Sequence, residues 1–437
     1  MIRRSIAAIW GVGRFGGGVA VAAWLAEQGH AIRLVDRCTE GELAEPLEEL
    51  RQRGVDATLW PEQADSLTGA DLVVVNPAIR PNHPLLDAVD ELGIRRTQEL
   101  NLFLETYPGH VIAVTGTNGK STTATMLAAA LRAGHGASGV LLGGNIGHSL
   151  LEDRSQWRRD QWAVVEVSSF QADRLSNQRG FFDHVVLTPI TTDHLDWHGT
   201  IDAYRSAKLR LVDAVVDGGQ VVGWPQCQVY RECVLPRLRP LAQPAIERGC
   251  FDSLQLLGGF NRQNAGLALT AAELAGVDTR SAIDAIKGVE GLPHRLCELG
   301  HHGGIAFIDN GASTVAETSL TALRELDGRG PVRWVCGGRA KTADIDAYGN
   351  ELAQLAASVH PFGEVADNLS SMLQKQGKAT RAHSTLGEAL DAAWQSAGPG
   401  DIVLFSPGFV SYDAYPNYAA RAGEAVAWWR RRRDGIA

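Results

Sequence analysis

The sequence has few cysteines, no long hydrophobic run and no excess of basic charge. Its six cysteines show neither a C-x-x-C pair nor a zinc spacing, which favours a reduced chain without a structural metal. No apolar stretch reaches the length of a transmembrane helix. Gly11 and Gly13 interrupt the N-terminal apolar run too early for a signal peptide. These absences predict a cytoplasmic protein with no membrane partner.

Positive charge is scarce as well. Subtracting 50 acidic from 41 basic residues gives a formal net charge of −9, whereas proteins that bind nucleic acids generally are basic. We therefore expect no nucleic-acid partner, and any phosphate ligand must be bound by local features. The 48 glycines are above average in number, and this excess suggests loops whose backbone approaches phosphate closely.

The length of 437 residues predicts two to four domains at roughly 100 to 200 residues each. Apolar strands alternate with helices along the chain, which predicts an α/β fold with parallel sheets. We expect a Rossmann-like domain over residues 1–96, a central phosphate-loop domain over 97–293 and a second Rossmann-like domain over 294–437.

The N-terminal segment has the layout of a nucleotide-binding βαβ unit. A strand over 6–10 is followed by the glycine-rich turn 11–16, a helix, and a second strand that Asp36 closes. In such units the backbone amides at the helix N-terminus receive phosphate. The alternative interpretation is that the glycines at 16–18 only allow the helix to pack closely.

A second glycine-rich loop follows the apolar strand predicted over 111–115. Its sequence, Gly116-Thr-Asn-Gly-Lys-Ser121, leads directly into a helix predicted over 122–132. The glycines free backbone amides to bind phosphates, Lys120 neutralises their charge, and the Ser121 hydroxyl can reach Mg²⁺. The alternative, a turn with an exposed lysine, explains the strand, loop and helix less well.

Further polar residues of the predicted central domain stand out after the phosphate loop. Glu166 lies in an apolar strand, where an unpaired carboxylate is unfavourable and metal coordination would compensate. His194 follows another buried strand, which favours a catalytic or metal-binding role over a structural one. Lys208 shares a helix face with Tyr204, but its own pattern indicates only a surface lysine. Asn261 and Asn264 both lie near the predicted start of an apolar helix, where helix capping is an adequate interpretation for one of them.

The order of the motifs resembles the Mur ligases of peptidoglycan synthesis, from the first predicted domain to the last. The segments that carry this resemblance are Gly116–Thr122, Gly144–Gly147, Glu166–Gln171, Asp193–Asp196, Asn261 with Asn264, and Leu292–Arg295. Leu292-Pro-His-Arg295 and Ser406–Asp413 are most similar to the MurD branch, which adds glutamate to UDP-N-acetylmuramoyl-L-alanine.

The resemblance implies one binding site in each predicted domain. UDP-sugar contacts would be Gly13, Arg14, Asp36 and Arg37, with Asn145 reaching this substrate from the central domain. ATP contacts would be Gly116, Thr117, Asn118, Gly119, Lys120, Ser121, Thr122, Asn264 and Arg295. Glutamate contacts would be Thr314, Lys341, Ser411 and Tyr418. A monomer is expected.

The resemblance also implies the cofactors and the catalytic residues. Mg²⁺ ligands would be Ser121, Glu166, His194 and Lys208, the last as a carbamate. Carbamylation would turn the Lys208 cation into an anion that can face Mg²⁺. Lys120, His194 and Lys208 would be the catalytic residues.

One motif departs from the MurD branch. The usual Asp-Asp-Ser-Lys-Ala-Thr-Asn is replaced by Asp309-Asn-Gly-Ala-Ser-Thr-Val315, so that an acid is lost at Asn310 and a lysine at Ala312. Tyr418 also replaces the usual phenylalanine. Because charge-assisted contacts fix carboxylates directionally, these changes should reposition the amino acid. A variant branch of the family attaches L-glutamate, and the resemblance with this altered motif favours that isomer over D-glutamate. The alternatives are an ordinary D-glutamate ligase and a sensor that binds nucleotide sugar and ATP without ligation.

Overall fold

The computed structural model forms two compact units. One comprises Met1–Phe251 and Gln263–Lys287, and the other comprises Asp252–Arg262 and Gly288–Ala437. The residues described are 5–13, 17–176, 180–223, 238–240, 246, 249–254, 256–340, 354–378 and 380–435. Arg14 and Lys341 therefore lie outside the described residues. Three largely parallel sheets flanked by helices confirm the predicted α/β fold.

The first sheet has five parallel strands in the order β3-β2-β1-β4-β5. Its strands are β1 (Ile6–Trp10), β2 (Ala31–Asp36), β3 (Ala57–Pro61), β4 (Leu72–Val75) and β5 (Arg95–Thr97). The helices are α1 (Gly17–Glu27), α2 (Ala44–Gln52) and α3 (Pro84–Glu91). The strand order reverses at β1 and β4, and doubly wound sheets bind ligands at such a switch point.

The second sheet, in the same unit, has six parallel strands in the order β11-β10-β9-β6-β8-β7. Its strands are β6 (His110–Thr115), β7 (Val140–Gly144), β8 (Trp162–Glu166), β9 (Phe182–Leu187), β10 (Val215–Gly223) and β11 (Leu238–Pro240). The helices are α4 (Glu99–Thr106), α5 (Lys120–His135), α6 (Ser169–Asp173), α7 (Leu195–His198), α8 (Ile201–Asp213), α9 (Gly259–Leu274) and α10 (Thr279–Lys287). Strand β6, which precedes the phosphate loop, lies between β8 and β9.

The two sheets of this unit share one hydrophobic core. Ile9 and Leu34 from the first sheet belong to the same buried cluster as Val165 and Val185 from the second. The boundary expected at residue 96 therefore falls inside a continuously packed unit, and the division into three domains stays a prediction.

The third sheet forms the other unit, in the order β12-β13-β16-β14-β15. Its strands are β12 (Cys297–His302), β13 (Ile305–Asp309), β14 (Val332–Gly337), β15 (Ser358–Phe362) and β16 (Ile402–Gly408). Only β12 runs antiparallel, against β13. The helices are α11 (Ala316–Glu325), α12 (Ala366–Lys375), α13 (Leu386–Gln395) and α14 (Tyr418–Arg433).

Element boundaries differ from the sequence prediction at two site residues. Glu166 is the last residue of β8 and does not lie inside a longer strand. Helix α9 begins at Gly259, so Asn261 lies in its first turn and Asn264 in its second. The interpretation that one of them caps the helix is therefore wrong. In the described part of the chain, every helix is too short or too polar to cross a membrane.

His360 on β15 makes the third sheet sensitive to acid. Burial, with the nearby charges of His383 and Arg333, lowers the pKa of His360 to about 4, and its Nε2 lies 2.9 Å from Ser358 Oγ. Because the folded-state pKa lies below the unfolded value of about 6.5, stability is full above pH 6.5 and falls as the pH drops towards 4.

We expect the free energy of unfolding to fall by about 2 kcal/mol between pH 7 and pH 5 through His360 alone. Urea unfolding of the wild type and of His360→Gln at both pH values would measure this contribution. The variant should lose less stability on acidification than the wild type. Equal pH dependence in both proteins would contradict the prediction.

Candidate active site

The phosphate loop depends on two glycines in conformations that L side chains rarely adopt. Gly116 has φ +150° and Gly119, which caps α5, has φ +85°. A Cβ atom at Gly119 would lie 2.5 Å from Asn264 Oδ1, and one at Gly116 would collide with Thr188. The loop thus turns tightly into α5, whose first amides have no intrahelical partner and can receive an anion.

Side chains of the loop hold its shape. The Lys120 Nζ atom donates to the Thr117 carbonyl oxygen at 2.7 Å. Thr117 is buried, and its Oγ1 lies 2.9 Å from Tyr204 Oη and accepts from the Thr191 amide at 2.9 Å. Ser121 is 4% exposed, so its hydroxyl lies inside the site.

The remaining residues predicted for ATP differ in exposure. Asn118 is exposed at the tip of the loop and Thr122 is half-buried. Asn264 is buried beside Gly119. The unit that contains the first two sheets therefore brings together all the predicted ATP residues except Arg295, which lies in the other unit.

Glu166 lies beside the start of the phosphate loop. Its register partners are Val114 on β6 and Gly144 on β7. Asn145 donates from Nδ2 to Glu166 Oε1 at 3.0 Å. The other carboxylate oxygen, Oε2, is buried without a hydrogen-bond partner among the described residues. An unsatisfied buried carboxylate oxygen is unfavourable, so the site is complete only with a cation or a donor there.

His194 is held at the start of α7 in a left-handed conformation, with φ +52°. Its amide donates to Asp193 Oδ1 at 2.8 Å, and its Nε2 lies 3.3 Å from Asp193 Oδ2. The Phe170 ring lies edge-on with its centroid 4.7 Å from that of the imidazole. Since positive φ is unfavourable for a residue with a Cβ atom, the loop fixes His194 in a particular orientation.

Lys208 is not the surface lysine that its own sequence pattern indicates. It is 1% exposed, and its Nζ lies 4.8 Å from the centre of the Tyr204 ring. Burial, followed by the charge of Lys120, holds the pKa of Lys208 well below its usual value, against the opposing effects of Asp193 and Glu166. The amine is therefore much more often neutral than that of an ordinary lysine.

The donors in this unit fit a magnesium ion bound together with phosphates. The unpaired Glu166 oxygen and the buried Ser121 hydroxyl are the oxygen ligands that Mg²⁺ prefers, and such sites typically use few protein ligands besides phosphates and water. No group of three or more acidic, histidine or cysteine side chains in the described residues forms a metal site by itself. A shared Mg²⁺–phosphate site is consistent with both observations.

Gly13, Asp36 and Arg37, three of the residues predicted to contact the UDP-sugar, lie at the ends of the neighbouring strands β1 and β2. Gly13 has φ +72°. Asp36 is buried and accepts from the amides of Val12 and Cys38 at 2.8 and 2.9 Å, whereas Arg37 is exposed. Asp36 thus holds the turn after β1 through Oδ2 and the segment after β2 through Oδ1. A Cβ atom at Gly18 would collide with the Val12 backbone, so close helix packing accounts for that glycine.

The predicted glutamate residues lie in the other unit. Ser411 is 2% exposed, Thr314 is half-buried, and Tyr418 is 42% exposed at the start of α14. Arg421, which the sequence reasoning missed, is fully buried and donates to the carbonyl oxygens of Gly337 and Phe409 at 3.1 and 2.9 Å. It joins the loops that follow β14 and β16.

Two further residues near the phosphate loop, Tyr204 and Asp193, were given no functional role from the sequence. Tyr204 bonds Thr117 and packs against Lys208, and Asp193 contacts His194. The signal for Tyr204 was its spacing of four residues from Lys208. Asp193 directly precedes His194 in the chain, and this adjacency alone does not predict that the two side chains contact each other.

Two family models match the chain. The "Mur ligase middle domain" matches residues 114–235, and the "Mur ligase, glutamate ligase domain" matches residues 294–409. The first match contains the phosphate loop, Glu166, His194 and Lys208. The second contains Arg295 and the loop that follows β13.

Full-length relatives share about a third of the sequence. A UDP-N-acetylmuramoylalanine–D-glutamate ligase from Desulfovibrio desulfuricans is 33% identical, over 95% of this chain and 94% of the relative. The ligase of the same name from Desulfatibacillum aliphaticivorans is 30% identical, over 92% and 94%. The crystal structure of a UDP-N-acetylmuramate–alanine ligase from Thermotoga maritima has the same fold, with a TM-score of 0.63, 18% identity and coverage of 98% and 99%.

Proposed function

The chain belongs to the Mur ligase family, and from this premise we propose that it is an ATP-dependent ligase that joins glutamate to UDP-N-acetylmuramoyl-L-alanine. The observation that carries the proposal is the cluster beside the phosphate loop. It combines a cation at Lys120, an unsatisfied carboxylate oxygen at Glu166 and a buried amine at Lys208. A cluster of this kind suits phosphoryl transfer, where positioning and charge neutralisation supply most of the catalysis.

The proposed reaction has two steps. The carboxylate of the nucleotide sugar attacks the γ-phosphorus of ATP, which forms an acyl phosphate and releases ADP. The amine of glutamate then attacks the acyl carbon, forms the amide, and expels phosphate. Lys120 would stabilise charge on the transferred phosphoryl group, and His194 or solvent would accept the amine proton.

Mg²⁺, when bound, would neutralise the phosphate oxygens. Ser121, Glu166, His194 and Lys208 would hold it. Lys208 would do so as a carbamate, which a buried amine with a lowered pKa is suited to form. The contact between Thr117 and Tyr204 would hold the phosphate loop in a fixed position relative to Lys208, which packs against the Tyr204 ring.

We assign the remaining predicted contacts by family membership. Gly13, Arg14, Asp36, Arg37 and Asn145 would bind the UDP-sugar, and the remaining loop residues together with Asn264 and Arg295 would bind ATP. Thr314, Lys341, Ser411 and Tyr418 would bind glutamate. We also propose that the enzyme is a cytoplasmic monomer with three functional domains.

For the isomer we propose D-glutamate, because the two relatives described above carry that isomer in their names. L-glutamate is a second candidate, favoured by the altered loop. Asp309 and Asn310 are 1% and 5% exposed and form hydrogen bonds inside their own unit, and Ala312 has no cation to offer an amino acid.

Release of ADP with each isomer tests both the function and the isomer. We expect ADP release only when the nucleotide sugar, ATP and one glutamate isomer are present together. If L-glutamate is the substrate, its kcat/KM should exceed that of D-glutamate by up to about 10²-fold, the effect of roughly one charged contact. Ala312→Lys should then reduce the ratio of kcat/KM between L-glutamate and D-glutamate, because it restores a cation to the loop.

The outcomes of this assay are separable. A higher kcat/KM with D-glutamate would refute the expectation based on the loop and leave the ligase proposal intact. ATP and nucleotide-sugar binding without ADP release would refute the ligase and indicate a sensor. Thr321→Lys is the matched control for Ala312→Lys, because it adds the same cation on helix α11, outside the altered loop. It should leave the preference between the isomers unchanged.

A further inference from the structure

The turn that carries Arg295 has an unusual backbone. His294 and Leu296, on either side of Arg295, have φ +66° and +52°. Among the described non-glycine residues, His194 alone shares this property. Left-handed conformations are unfavourable for residues with a Cβ atom, and for bulky residues such as leucine they are true outliers. Such a turn persists only when its surroundings hold it.

The loop that follows β13 supplies the contacts that hold this turn. Asp309 Oδ2 lies 2.6 Å from His294 Nδ1, and the Ala312 amide donates to the His294 carbonyl oxygen at 2.9 Å. The Leu296 amide donates to Asn310 Oδ1 at 3.1 Å. Both left-handed residues are therefore bonded to one short segment.

That segment is itself anchored. Asn310 donates from Nδ2 to Ser406 Oγ on β16 at 2.9 Å, and the Gly311 amide donates to Asp309 Oδ1 at 2.9 Å. A Cβ atom at Gly311 would lie 2.5 Å from that of Ala422, so a serine there would force the neighbours apart. Asn310 and Gly311, two of the residues that depart from the family motif, thus face the interior of their own unit.

We propose that Asp309 and His294 are positioning residues that hold Arg295 in the orientation required for nucleotide binding. The inference rests on the proposed function only in that Arg295 contacts the nucleotide. Arg295 itself is exposed at the apex of the turn. Asp309 acts through the imidazole of His294, and Asn310 supports the other side of the turn through Leu296.

Direct binding of ADP to the purified full-length protein tests the proposal, by titration calorimetry and without turnover. We expect Asp309→Ala and Arg295→Ala each to raise the Kd of ADP, by about 10-fold for the loss of one charge-assisted contact or its geometry. The double variant should bind no more weakly than Arg295→Ala alone, because Asp309 acts only through Arg295. Asp309→Asn, which keeps a hydrogen-bonding oxygen, should recover part of the affinity.

His301→Ala is the matched control, since His301 also pairs with a carboxylate, Glu298 at 2.8 Å, but on the exposed strand β12. It should leave the Kd of ADP unchanged. If Asp309→Ala does not fold, His294→Asn replaces it, because asparagine tolerates the left-handed conformation while its shorter side chain loses the contact with Asp309. It should weaken ADP binding to the same extent.

If the fold-increase in the Kd of ADP in the double variant equals the product of the two single-variant increases, the proposal is overturned. Asp309 would then act independently of Arg295. Unchanged ADP affinity in a folded Asp309→Ala or His294→Asn variant would overturn it too. Neither result depends on ligation. Failure of glutamate-dependent ADP release, with the binding coupling intact, would refute the proposed function alone.

Discussion

Lys120→Ala should abolish ligation and leave the fold intact. The Lys120 side chain lies over the phosphate loop, where its Nζ donates to the Thr117 carbonyl oxygen at 2.7 Å. Removing one preorganised group that stabilises charge in the transition state lowers kcat by about 10²- to 10³-fold, or roughly 3–4 kcal/mol. Alanine is the best helix former, so α5 should still begin at this residue.

The measurement combines ADP release with thermal unfolding. We expect a loss of kcat/KM of about 10³-fold, with an unfolding temperature close to that of the wild type. Lys287→Ala, at the last residue of α10, is the matched control and should keep wild-type activity. Retained turnover in Lys120→Ala would contradict the assignment of this loop to ATP.

The phosphate loop could be predicted from the sequence because each of its parts is local. The strand, the two glycines, the lysine and the helix follow one another directly along the chain, and each has its own physical signal. The fold class was predictable for the same reason, since alternating apolar strands and helices need only local patterns. Strand β1 was predicted with the observed bounds.

Edge strands were harder to predict. Strands β3 and β12 consist of partly buried and exposed residues, whereas the central strands were recognised by their buried apolar runs. Strand β12 also carries two histidines and a glycine. Its pairing with β13 is a long-range property that no local pattern encodes.

The burial of Lys208 could have been predicted from the sequence, although the charged residues that influence it could not. Tyr204, Ala207, Leu211 and Val212 form the buried stripe of α8, and position 208 falls on that stripe at helical spacing. The electrostatic influence of Glu166 and Lys120 on Lys208 is different, because it depends on the register of β6 with β8. Register places Glu166 beside Val114, and the sequence contains no direct signal for this.

Lys208→Ala should be inactive, and small carboxylates in solution should partly rescue it. The neutral amine of buried Lys208 can attack CO₂, forming a nitrogen–carbon bond and releasing one proton to solvent, which leaves a carbamate anion. Alanine removes that anion, and we expect kcat/KM to fall by about 10²- to 10³-fold, as for one group that stabilises charge. Formate or acetate can enter the space vacated by the side chain and replace the missing negative charge.

Lys208→Met removes the charge of the carbamate without opening the space that Lys208→Ala leaves. Methionine fills most of the volume of the lysine side chain, so Lys208→Met should be as inactive as Lys208→Ala but insensitive to formate and acetate. Carbon-13 NMR of the wild type in labelled bicarbonate should show a carbamate signal that both variants lack. Equal rescue of the two variants would mean that carboxylates act elsewhere. Wild-type activity in Lys208→Ala would show that this buried lysine has only a structural role, because its amine would then contribute nothing to the bound phosphates.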